Sequence, residues 1–130
     1  MPKKNDIKAL LIKVTDEEPT VSFVTVNRDD YKAINDMLEI DIMDIVTRKI
    51  GEKYFTIICD DEGLLKDSPI VSAVDKNAKA HLVGNLLICK TTNYGNLKSL
   101  TEDDVYYIAD YLGRYYTDKK AIPVLMEVDY

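Results

Sequence analysis

Residues 54–63 read YFTIICDDEG. Aromatic, β-branched and aliphatic side chains run without interruption to Cys59, then stop at three carboxylates and a glycine. That composition predicts a strand over 54–59 ended by a turn. Working outward, residues 51–53 form a turn, and 40–50 alternate β-branched residues with charges, which predicts a partner strand. Residues 7–14 (IKALLIKV) and 20–26 (TVSFVTV) flank a polar TDEEP segment and read as a hairpin. Between them and 40–50, Tyr31, Ile34 and Leu38 recur at helical spacing. A helix over 29–38 is expected, with a capping-box pattern at Asn27 and Asp30.

Downstream, HLVGNLLICK (81–90) reads as one strand, with Gly84 as a bulge. Thr101 caps a helix drawn through TEDDVYYIADYLGRYY (101–116), whose first-turn acids suit the positive end of the helix dipole. Residues 122–128 (IPVLMEV) read as a last strand, placed at a sheet edge because Pro123 cannot donate to a ladder. Residues 64–80 favour neither state. The predicted fold is α+β, one domain over 1–130, with a mainly antiparallel sheet of five or six strands and two helices on one face.

Composition narrows function. Of 130 residues, 23 are acidic and 17 basic, a net charge of -6. Residues 29–62 hold ten acids and four bases, which leaves thirteen of each elsewhere. A phosphate-neutralising face is not expected, so direct nucleic-acid binding is not either. The acidic stretch reads first as a solvating surface and second as a decoy for DNA-binding proteins. No apolar run is long enough for a signal peptide or a membrane span, and Cys59 and Cys89 sit in strand-like runs without a CxxC. These features predict a cytoplasmic protein with reduced, buried thiols.

Three segments resemble a family of small proteins catalogued as a domain of unknown function. They are Ile58-Cys59-Asp60-Asp61-Glu62-Gly63, Leu82-Val83-Gly84-Asn85-Leu86-Leu87-Ile88 and Ser99-Leu100-Thr101-Glu102-Asp103. The similarity extends over about residues 7–112. Ser68-Pro69-Ile70-Val71 lacks the P-x-N-R pattern that such proteins often show, and strand 122–128 reads as an addition. Such proteins are typically carried by phages and mobile elements, so the resemblance implies a similar origin and a bacterial host cytoplasm.

Few residues offer chemistry. His81 is the sole histidine, and with two strand-embedded cysteines it leaves too few soft ligands for a zinc site. A Cys59–Cys89 half-site would need both thiols on one side of adjacent strands. The Asp60-Asp61-Glu62 cluster lacks the alternating ligands of a calcium loop and reads as a hairpin turn with Gly63 at positive φ. No glycine cluster makes a phosphate loop. The expected cofactor set is therefore none. Tyrosine is the compositional oddity: nine, with no Trp and two Phe. A helical wheel places Val105, Ile108, Ala109, Leu112 and Tyr116 in the core and Tyr107 and Tyr111 on an exposed flank, with Tyr115 at its boundary. Tyr107, Tyr111 and Tyr115 are the candidate ligand- or partner-binding residues.

The expected function is non-enzymatic binding, by sequestering a small signalling ligand such as a nucleotide or by blocking a host protein. The rivals are the acidic decoy and a small hydrolase built on Asp60, Asp61, Glu62 and His81. A homodimer through the C-terminal helix and strand is expected, because the alternating Ile122, Val124, Met126 and Val128 would otherwise stand uncovered at an edge.

Overall fold

The computed structural model describes residues 5–15, 18–65, 69–116 and 121–130. In chain order the elements are β1 (Asp6–Lys13), β2 (Thr20–Asn27), α1 (Tyr31–Leu38), β3 (Met43–Ile50), β4 (Lys53–Asp60), a 3-10 turn (Gly63–Leu65), β5 (Val71–Val74) and β6 (Ala80–Val83). They continue with β7 (Leu86–Thr91), β8 (Leu97–Lys98), α2 (Glu102–Ala109), β9 (Leu112–Tyr116), β10 (Ala121–Leu125) and β11 (Val128–Asp129). A seven-stranded sheet runs in the order β11-β3-β4-β7-β1-β2, with β8 beside β7. A four-stranded sheet runs β6-β5-β10-β9. Every pairing is antiparallel except β5 with β10.

The α+β class and the antiparallel character are as the sequence predicts. The layering differs. Leu10, Ile12, Phe55, Ile57, Leu86 and Ile88 face one core, where Ala73, Ile122 and Leu125 of the small sheet and Ile108 of α2 meet them. Ala9, Leu11, Ile58, Leu87 and Cys89 face a second core closed by Ile34 and Leu38 of α1. The two helices therefore cover opposite faces, not one. This is why β1, β4 and β7 read as near-continuous apolar runs: alternate residues feed different cores, and both faces are dry.

Helix starts follow side-chain chemistry. Asp30 caps α1, accepting from Ala33 N at 3.0 Å, while Asn27 instead accepts from Asp29 N. Thr101 caps α2 as expected, in a capping box with Asp104. Helix α2 stops at Ala109, well short of 116. Residues 112–116 leave helical periodicity because all five pair with β10, from Leu112–Leu125 to Tyr116–Ala121. Strand β10 is internal to its sheet, so the expected edge position for 122–128 is corrected. Pro123 is tolerated there because β5 pairs with β10 only at Leu125.

The run read as one strand over 81–90 is two strands in different sheets. Gly84, at φ +78°, makes the break, a left-handed conformation that glycine adopts without a Cβ penalty. Asn85 follows it, 2% exposed. Its Oδ1 accepts from Val14 N at 2.8 Å, and its Nδ2 donates to Leu38 O at 2.9 Å. One amide thus fastens the sheet crossing to the end of β1 and the end of α1. We expect Asn85→Ala to cost about 2–4 kcal/mol, because it orphans a buried N–H and a buried carbonyl together. Asp41→Asn with Asp44→Asn, both exposed, should change stability by less than about 1 kcal/mol. Urea titrations of the three proteins check both, and equal midpoints for wild type and Asn85→Ala would contradict the first.

Candidate functional site

An open groove of about 640 Å³ runs along β5, β9 and β10, within the size range of small-molecule sites. Ile70, Val71 and Val74 supply one wall, Ile122, Val124 and Met126 another, and Arg114 and Tyr115 join them in the lining. The tyrosine is 65% exposed. Arg114 has no carboxylate within ion-pair distance among the described residues. Of the three candidate tyrosines, the structure places only Tyr115 here. The alternating Ile122, Val124 and Met126 join it, while Val128 is fully buried in the core between the sheets. Sequence reasoning missed Arg114 and the Ile70–Val74 wall. The β-branched Val71 and Val74 were the available signal, masked by Pro69 and the polar residues after Asp75.

Tyr107 and Tyr111 are neighbours, with ring centroids 5.2 Å apart, but they do not form an exposed flank. Both pack against the core between the sheets. The Tyr107 hydroxyl donates to Ile50 O at 2.7 Å and accepts from Glu52 N at 2.8 Å, pinning the β3–β4 turn. Lys53 Nζ lies 4.7 Å above its ring. Extending the helix accounts for Tyr116, assigned to the core but 76% exposed on β9; within α2 itself Tyr107 is half-buried, and Ala109, also assigned to the core, is exposed.

A smaller cavity of about 150 Å³ gathers the first two family-like segments, with Asp60 and Gly63 on one side and Gly84 and Asn85 on another. Glu39 and Thr15 also line it. Thr15 Oγ1 donates to Glu39 Oε2 at 2.6 Å, and that bond leads in holding the Glu39 carboxyl below its usual range. Gly63 is not at positive φ, and the 60–63 segment opens a 3-10 turn instead of a hairpin. Glycine is needed there for closeness: a Cβ would lie 2.8 Å from Val83 Cγ2.

His81 accepts a hydrogen bond from Arg48 Nε at 3.0 Å, and Tyr130 packs edge-on to its ring at 4.8 Å. Burial first, and the Arg48 charge second, lower the His81 pKa; Asp129 and Asp75 oppose them. His81 sits with Arg48, which pairs with Phe55, while Asp60 pairs with Met43 at the other end of the β3–β4 ladder, so the histidine and the 60–62 carboxylates are held apart. Cys59 and Cys89 lie on adjacent strands but face opposite cores, which rules out a shared half-site. Burial pushes their thiols up to about 11 and about 12. Among the described residues no three metal-ligating side chains converge, and no helix is long and apolar enough to cross a membrane.

Fold and groove together define a two-sheet α+β domain that presents an apolar, arginine-edged groove on its smaller sheet. The chain belongs to the family described as a domain of unknown function, DUF3846, which matches residues 7–115. No curated protein and no solved structure gave a match. The match ends at Tyr115, so β10 and β11 lie beyond it, and the groove is built from both parts.

The His81 geometry has a measurable consequence. A histidine with a lowered folded pKa stays neutral in the native state after the unfolded chain has begun to protonate. Its stabilising contribution is therefore complete above the unfolded value, about 6.5, and is lost as pH falls below it. Thermal melts between pH 7.5 and 5.5 should show stability declining in wild type and a flatter profile in His81→Gln. Parallel profiles would contradict the assignment.

Proposed function

We propose that this is a non-enzymatic binding protein of phage or mobile-element origin that sequesters a small nucleotide-like signalling ligand, countering host defence. The observation that carries the reading is the groove that joins Arg114, without an ion-pair partner among the described residues, to Tyr115 and two apolar walls. A base fits against the Tyr115 ring and the β-branched walls, where base–aromatic stacking contributes about 1–3 kcal/mol. A phosphate fits the guanidinium, whose planar fork pairs with two oxygens at once. The net charge of -6 disfavours a polyanion while leaving a small, locally paired anion acceptable. Sequestration needs binding without turnover, and the separation of His81 from the 60–62 carboxylates supports that.

Isothermal titration against mono-, di- and cyclic nucleotides tests the proposal, with chromatography of the nucleotide after denaturing the protein. At least one should bind with micromolar or tighter affinity and be recovered intact. Arg114→Ala and Tyr115→Ala should each weaken binding at least tenfold while leaving the melting temperature unchanged. No binding at millimolar nucleotide, or recovery of a hydrolysed product, overturns it.

A further inference from the structure

Strand β2 closes one edge of the large sheet, and among the described residues no strand lies on its outer side. It is long for an edge, pairing with β1 through eight consecutive residues without a bulge, from Lys13–Thr20 to Asp6–Asn27. Its sequence, TVSFVTVN, contains no charge and no proline. Exposed edges are normally blunted by shortness, charge, proline or a bulge, because unpaired N–H and C=O groups recruit another strand. The other edges carry such devices: β11 has two residues with Asp129 among them, β6 is four residues long, and β9 carries Arg114. Among the described edge strands only β2 lacks them all.

We propose that β2 pairs antiparallel with β2 of a second copy of this chain, making one sheet that runs through both. Three observations select a second copy as the occupant. First, an uncharged strand can lie against its own duplicate without placing like charges opposite one another. Second, the acidic surplus of the chain lies in residues 29–62, outside β2, so the edges that meet are free of it. Third, Phe23 is 47% exposed at the middle of the strand. A two-fold axis normal to the sheet keeps each face continuous and brings a residue opposite its own copy. Centred on Phe23, it pairs Phe23 with Phe23, Ser22 with Val24 and Val21 with Thr25. The two rings then cover each other on the face that Leu10 and Ile12 share through their pairing with Phe23 and Val21. Lys8 Nζ, 5.8 Å from the Phe23 ring centroid, keeps its charge at the rim. This interface lies in the large sheet, where β10 of the small sheet also comes close to β2, and it does not rest on the ligand proposal.

Light scattering at about 100 µM chain and physiological salt should give about twice the 14.8 kDa chain mass. Phe23→Lys sets like charges opposite each other at the axis and should return the mass to that of one chain. Ser22→Lys, at an exposed position, should do the same and serves if Phe23→Lys fails to fold, as circular dichroism would reveal. Phe23→Cys should form a disulfide-linked dimer on oxidation, whereas Tyr106→Cys, exposed on α2, should not. A monomeric wild type, or a dimer that persists when either folded lysine variant is assayed, overturns the proposal. So does cross-linking by Tyr106→Cys but not by Phe23→Cys.

Discussion

The fold depends on one buried amide. Between β6 and β7 the chain leaves the small sheet and enters the large one within two residues, Gly84 and Asn85. Gly84 supplies the left-handed turn, and its N–H donates to Ile70 O at 2.8 Å, anchoring the crossing to the start of β5. Asn85 then satisfies the N–H of Val14 and the carbonyl of Leu38, two groups that would otherwise be stranded where β1 and α1 end. A buried amide bonded on both its oxygen and its nitrogen gives orientation that apolar packing cannot, since its donor and acceptor sides are not interchangeable. The two sheets are positioned by this node; the cores then fill the space between and beneath them.

That arrangement explains why the large sheet must be covered twice. Its central strands place Ile12, Ile57 and Ile88 on one side and Leu11, Ile58 and Leu87 on the other, nearly all fully buried. Removing such a side chain costs about 2–5 kcal/mol, so neither face tolerates exposure. Helix α1 alone closes one face. The other takes α2 and the whole small sheet. The small sheet spends Ala73 and Leu125 on that task, with Ile122 reaching both the core and the groove, and leaves the groove open to solvent.

The parts of the fold legible in the sequence are those governed by local periodicity. Residues 54–59 alternate between two cores and have strand propensity on both faces, so β4 is found within a residue of its expected limits. Thr101 announces α2 through side-chain chemistry that operates within one turn. Long-range pairing is what hides the rest. Nothing local in YLGRYY (111–116) stops a helix at Ala109; β9 exists because β10 offers partners to residues 112–116. Likewise, Leu82 and Leu86 look equivalent until the left-handed Gly84 sends them to different sheets. The candidate site suffered accordingly. Tyr115 was identified by composition, but Tyr107 and Tyr111 turned out to serve the β3–β4 turn and core, and Arg114 was invisible while its neighbours were counted as helix.

The division of labour among these residues bears on where function resides. Tyr107 has both hydrogen-bonding roles of its hydroxyl occupied by the backbone of a turn, and its ring is wedged beside Phe55 at 5.9 Å. Asn85, Thr15 and Glu39 answer one another around the smaller cavity, so its polar groups are already spoken for. Side chains so engaged are poor ligands for anything else, because a newcomer must first break bonds that the fold needs. Arg114 and Tyr115 stand differently. The fold draws on their backbones, through pairing with Pro123 and Ile122, while among the described residues no hydrogen bond or ion pair holds their side chains. A fixed backbone carrying an uncommitted guanidinium and an uncommitted aromatic ring over apolar walls keeps recognition chemistry separate from stability. Under the binding function proposed above, changes at these two positions would alter what is bound without altering whether the protein folds.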